Sequence, residues 1–341
     1  MKLGSLEVGA LRALGVTALV FCVLLAVLDS AVNLWFPRFE RLSDNFSTAY
    51  LEREAGALAK DPPEIVFLGD SVFWGYRLRP QQSVVSLLDR AGLRSRNLSF
   101  EGGSPANTYA MLRLLEAKGV RPALVVFNVN QKEFNPADSA YQKLHPSLEA
   151  LAAPLLTAEE AAELTPTVKR DRFEAALDDA ISAHWQFYAL RSDIREALFS
   201  NLDAAHALDD ALQTLSGAKA RTEAMHRPTP DRFEGTYDLS PLDAQNVSVR
   251  FLRKTAELLA QERIPAIAIL TPTNHALLHE YIDAPEYAKN LAYVRTMLEG
   301  HGVLVIDLDR EFKAAEFIDN DHLTAAGNQH LAEILQPALA Q

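Results

Sequence analysis

Five short strand-like runs, separated by stretches of helical character, constrain the fold of this chain more than any other feature. They are Ile65–Leu68, a shorter one at Arg96–Phe100, Ala123–Phe127, Ala266–Leu270 and Val303–Leu308. Short apolar runs rich in β-branched and aromatic residues read as buried strands. Helices are expected near Gln82–Ala91, Ala106–Ala117, Ala244–Glu262, Tyr287–Leu298 and Thr324–Leu335. Strand alternating with helix implies an α/β fold: a parallel sheet with both faces covered. Functional groups in such sheets gather at the carboxyl ends of the strands.

The first run passes directly into Gly69-Asp70-Ser71. A glycine turns the backbone there, and a serine sits where the next helix starts, with backbone N–H groups aimed at whatever its hydroxyl attacks. A serine hydroxyl is a poor nucleophile until a base takes its proton. Asp319-Asn320-Asp321-His322 supplies a histidine with a carboxylate three residues before it. His322 titrates near neutrality when unperturbed, and Asp319 would fix its tautomer and stabilise the imidazolium. Asp321 is a rival orienter whose side chain is expected to diverge from His322; Asp307 and Asp309 are weaker rivals. Two readings of Ser71 stay open, a nucleophile or a helix cap, and Asp70 is expected to stabilise the turn.

With 341 residues and a formal net charge of -12, the chain has ample material for a core and no basic stripe for nucleic acid. A single cysteine, Cys22, excludes an intramolecular disulfide. From Ala13 to Leu28 the chain is uncharged and apolar, with Lys2 and Arg12 before it and Arg38 and Arg41 after it. Sixteen helical residues span about 24 Å, a little short of the ~30 Å hydrocarbon core, and Leu34-Trp35-Phe36 would suit the interface. Asp29-Ser30-Ala31 fits a signal-peptide cleavage site poorly, and Phe21 fits poorly before a lipoprotein cysteine. The expectation is an uncleaved single-pass anchor in the inner membrane, its soluble body on the periplasmic or extracellular side; a buried core helix is the alternative.

The expected organisation is a tail and transmembrane anchor at 1–37, a helical stalk at 38–64, an α/β domain at 65–135 and 244–341, and a helical insertion or cap at 136–243. In the insertion, Phe173, Leu177, Ile181, Trp185, Tyr188, Ile194 and Leu198 recur at helical spacing, the mark of a buried face. Trp185 or Tyr188 lining a substrate groove is the alternative. His275 and His279 stand four apart, but two ligands do not complete a zinc site; no metal and no cofactor are expected. Thr271 to His275 follow a strand end, which makes Asn274 and His275 cleft candidates alongside Asp70 and Asn128. Asn97-Leu98-Ser99 is a sequon placed in a strand, where glycosylation is not expected.

The ordered blocks Gly69-Asp70-Ser71, Asn97 to Gly102, Asn128-Val129-Asn130-Gln131 and Asp319 to His322 resemble those of the SGNH/GDSL hydrolase superfamily. The resemblance covers about 65–135 and 245–335. It implies a flavodoxin-like parallel sheet, the catalytic set Ser71, His322 and Asp319, and an oxyanion hole from the Ser71 N–H, the Gly102 N–H and the Asn130 amide. Gly103 and Asn128 are adjacent rivals. In the third block Asn128 and Gln131 replace the usual flanking Gly and Asp. With an N-terminal helix, the chain also resembles envelope polysaccharide O-acetyltransferases and esterases. That likeness implies an acylated glycan or carbohydrate polymer as substrate, a membrane acyl-donor protein as partner, and an acyl-serine intermediate passed to water or a sugar hydroxyl. The alternative is a non-catalytic polymer-binding scaffold on the same fold.

Overall fold

Alternating β-branched residues build the sheet. In a computed structural model, which describes residues 15–30, 41–42, 46–166, 177, 180–181, 185–189 and 229–340, five strands form: β1 (Ile65–Leu68), β2 (Ser95–Asn97), β3 (Leu124–Val129), β4 (Ala266–Leu270) and β5 (Leu304–Asp307). All pair in parallel in the order β2-β1-β3-β4-β5. This is the flavodoxin-like order, whose topological switch lies between β1 and β3. Ile65 aligns with Ser95 on one side and Leu124 on the other, which fixes the register of the central strand.

The pleat sends alternate residues to opposite faces. Val66, Leu68, Val125, Phe127, Val129, Ala268 and Leu270 enter one core, and Ile65, Phe67, Val126, Ile267 and Ile269 enter the other. On the first face pack α1 (Thr48–Lys60), α4 (Pro105–Ala117), α5 (Pro146–Ala152), α7 (Val247–Glu262) and α9 (Pro285–Glu299). On the second pack α3 (Val84–Arg90) and α10 (Ala325–Leu339). Shorter helices lie between these: α2 (Ser71–Trp74) follows β1, α6 (Ala158–Glu163) follows α5, and α8 (His275–Ile282) follows β4.

The described residues bear on three expectations. Within the segment expected as a stalk, α1 is no free helix: it places Tyr50, Leu51 and Leu58 in the first core beside Leu42 and Phe46. Its apolar stripe is buried against the sheet domain, so burial outcompetes an extended arrangement. Residues 15–30 are helical with exposed apolar side chains. Among the described residues no helix is long and apolar enough to cross a membrane; Ala13, Leu34, Trp35 and Phe36 lie outside them. Third, the segment taken as an insertion is partly core, since Leu144, Leu148 and Ala152 join the first cluster. Tyr237 packs with Leu278, Ile282 and Tyr287. Of the expected buried stripe, Leu177 and Trp185 are 49% and 39% exposed, while Phe173, Ile194 and Leu198 lie outside the described residues.

Candidate active site

The turn after β1 carries the nucleophile candidate. Gly69 has φ of +134°, and a Cβ there would sit 1.8 Å from Asn128 Oδ1, so only glycine fits. Asp70 is the N-cap of α2, its Oδ1 accepting from Val72 N at 2.8 Å. The cap is thus the aspartate, and Ser71 occupies the first helical position. The Ser71 N–H is one of the amides that a helix start leaves without an intrahelical acceptor.

Ser71 Oγ lies 2.7 Å from His322 Nε2 across 251 residues of sequence. On the far side of the ring, His322 Nδ1 lies 2.8 and 2.9 Å from the two carboxylate oxygens of Asp319. Asp319 Oδ1 also accepts from the His322 and Asp321 N–H groups at 3.1 and 3.3 Å, which closes the loop around the pair. An antiparallel bridge between Phe317 and Leu323 and the Ile318 N to His322 O bond of 2.7 Å pin its base. Asn274, the N-cap of α8, donates its side-chain amide to Asp319 O at 2.9 Å and its N–H to Asn320 O at 2.8 Å. Tyr76 lays its ring 4.3 Å from the His322 ring.

Charge sets the proton affinities here. Burial of His322 favours the neutral ring, but the Asp321 charge and the bond to Asp319 outweigh it and raise its pKa above the ordinary value. Burial opposes ionisation of Asp319, yet the bond and charge of His322 hold its carboxyl below the usual range. Asp321 is fully buried, and Lys132 ahead of His322 holds it ionised. Lys132 in turn is desolvated, and Asp321 keeps it protonated, well above its ordinary pKa.

The asparagines of the third block do not stand as expected. Asn130 Nδ2 donates to Asp321 Oδ2 at 2.5 Å and to Asp70 Oδ2 at 3.2 Å. Both of its amide hydrogens are thus committed to carboxylates, which are stronger acceptors than a neutral carbonyl, and it offers no oxyanion donor in this arrangement. Asn128 is committed as well. It donates to Asp70 Oδ1 at 2.7 Å and Thr271 Oγ1 at 3.2 Å and accepts from Asp70 N at 3.0 Å. The two asparagines, at the end of β3, brace the Asp70 turn at the end of β1. Gly102 is exposed with φ of +75°, whereas a Cβ on Gly103 would fall 2.1 Å from Gly69 O. Gly103 is therefore the residue that lets this loop press against the Ser71 turn, and its own N–H is spent on Phe100 O at 3.0 Å.

Other cleft candidates separate. His275 pairs through Nε2 with Asp309 Oδ2 at 2.8 Å, and Tyr287 donates to Asp309 Oδ1 at 2.6 Å; this cluster lies behind Asn274 and is distinct from Ser71. His279 is exposed and 3.9 Å from Glu280, so the two histidines do not converge. Trp185 is exposed, and its backbone N–H donates to Ile181 O at 2.8 Å. Asp319, Asp321 and His322 could each offer one metal-ligand atom within 4.8 Å of the others, and the Lys132 ammonium is paired with Asp321 there. Asn97 is buried, its amide donating to Phe73 O at 2.8 Å. The sequence reading missed Lys132 and Tyr76: a lone lysine and a lone tyrosine carry no spacing signal.

A protein-family model matches residues 244–341, the C-terminal part of the chain. No curated protein matches the sequence. Among solved structures, the chain is similar to Axe2, an acetylxylan esterase from Geobacillus stearothermophilus, at 11% identity over 82% of this chain and 95% of that one, with a TM-score of 0.39. It is also similar to the salicylyl-acyltransferase SsfX3 from a tetracycline biosynthetic pathway, at 14% identity over 82% of this chain and 54% of that one, with a TM-score of 0.34. These likenesses are too distant to carry chemistry from those proteins to this chain.

Proposed function

We propose that this protein is a serine-dependent acyl-ester hydrolase or O-acyltransferase of the SGNH type, working through an acyl-Ser71 intermediate. The observation that carries the reading is the continuous relay from Ser71 Oγ to His322 Nε2 at 2.7 Å and from His322 Nδ1 to Asp319 at 2.8 Å. Ser71 Oγ attacks the ester carbonyl and its proton passes to Nε2. The carbonyl oxygen becomes an oxyanion facing the Ser71 and Gly102 N–H groups. As the C–O bond of the ester breaks, the leaving alcohol takes the proton from Nε2. Water or a sugar hydroxyl then attacks acyl-Ser71, gives its proton to Nε2, and Ser71 leaves with that proton restored.

The acyl group is acetyl and its carrier an envelope or exported carbohydrate in this reading, which follows the sequence resemblance. An anchor at residues 13–28 would hold the body at the outer face of the inner membrane, near a membrane protein that delivers acyl groups. Its support is an uncharged run whose side chains, from Val16 to Leu28, stand exposed. The commitment of Asn130 to Asp321 and Asp70 favours a second reading, a polymer-binding scaffold that no longer turns over esters. Hydrolysis of 4-nitrophenyl acetate and acetate release from acetylated oligosaccharides separate the two. The enzyme reading expects turnover that falls by at least ~10³ in Ser71→Ala. Polymer retention with no ester turnover supports the scaffold.

A further inference from the structure

His322 Nδ1 faces a second carboxylate. Asp321 Oδ1 lies 3.4 Å from it, and that oxygen is buried with no hydrogen bond from any other described residue. Its partner oxygen, Oδ2, is held by the Lys132 ammonium and by Asn130 Nδ2 at 2.5 Å. The expected divergence of Asp321 from the ring is therefore absent: two anchors on Oδ2 turn Oδ1 toward the imidazole. A buried carboxylate oxygen without a donor is costly, and the His322 Nδ1 it faces is the one Asp319 also takes.

We propose that Asp321 is a second positioning carboxylate for His322, sharing the Nδ1 proton with Asp319 and oriented by Lys132. This rests on the proposed Ser71–His322 chemistry for its purpose but not for its geometry. Asp319 approaches from the open side of the loop, being partly exposed, while Asp321 is fully buried. Lys132 comes from the turn after β3 and Asp319 and Asp321 from the loop before α10, so the device ties two strand-end loops to one ring. It also accounts for Asn130: the amide is withdrawn from the oxyanion position because Asp321 needs it.

The test pairs turnover with a signal independent of substrate. In the full chain, the low-field proton resonance of His322 Nδ1–H is followed at acidic pH, and 4-nitrophenyl acetate hydrolysis is measured alongside. In Asp319→Ala the resonance is expected to persist, shifted, and turnover to fall only about 10–100-fold, because Asp321 keeps the tautomer. Removing both carboxylates should abolish the resonance and bring the loss to ~10⁴, the cost of an unsupported tautomer. Asp321→Ala combined with Lys132→Met leaves no unpaired buried lysine and guards against misfolding. Loss of the resonance in Asp319→Ala as complete as in the double variant overturns the proposal, as does an unchanged resonance in Asp321→Ala/Lys132→Met. If esters are not turned over at all, the acyl-transfer reading fails while the resonance still decides the positioning claim.

Discussion

Ser71 is available for chemistry because its neighbours take over the tasks that would otherwise occupy it. Asp70 caps α2, Asn128 braces Asp70, and Gly69 makes room for the Asn128 carbonyl at a φ closed to other residues. Gly69→Ala must push Asn128 aside; we expect it to unseat the turn and lower turnover at least as strongly as it lowers the melting temperature, measured on the same preparation. Gly103→Ala meets backbone and not side chain, so a comparable loss is expected there. Activity requires neutral His322. With its pKa raised above the free value of ~6.5, the acid limb of kcat/KM should lie above that pH. The groups facing the ring are Asp319, Asp321, Lys132, Tyr76 and Ser71; removing Asp321 together with Lys132 should move the limb down, since Asp321 raises the ring more than Lys132 lowers it. For stability the signs differ. The His322 contribution is full below ~6.5 and is lost as pH rises through its folded value, while those of Asp319 and Asp321 are present above ~3.9 and lost as pH falls through theirs.

At the scale of elements, α2 is held at its C-terminal end. Arg41 donates to the carbonyls of Trp74 and Gly75 at 3.0 and 2.7 Å and stacks on the Trp74 ring at 3.8 Å, and Trp74 donates its indole N–H to Leu42 O at 2.7 Å. Arg41→Ala should cost about 3 kcal/mol or more, the range for stranding buried partners of a charged group, read as a shift in urea midpoint. Strand positions were legible in the sequence to within a few residues because buried parallel strands are written as β-branched runs, and β4 matches from Ala266 to Leu270. Arg41 was not legible as a clamp: a single arginine after an apolar stretch reads as a flanking charge, and only the tertiary fold brings it beneath Trp74. The same holds for α1, whose burial depends on a sheet face that the local pattern does not reveal.

For the whole molecule, the sheet order places β1 and β3 at the topological switch, and the loops after both strands meet the loop before α10 there. The convergence of Ser71, His322 and Asp319 was readable because a strand–Gly–x–Ser turn and an Asp-x-x-His pair each carry their own pattern. The roles of Asn130, Asn128 and Lys132 were not, because they depend on which of several acceptors lies nearest, and that is fixed by convergence of distant loops. Trimming residues 1–30 leaves Arg41, Leu42 and Phe46 in place, so the shortened chain should keep its ester turnover and fold; the membrane reading expects it to leave the membrane fraction that holds the full chain. The most direct measurement of the central claim is intact-mass analysis after exposure to a serine-directed fluorophosphonate, followed by peptide mapping. One adduct per chain, located at Ser71 and absent from both Ser71→Ala and His322→Ala, is the expected result; a folded chain that takes up no label, or takes it up at another residue, would contradict it.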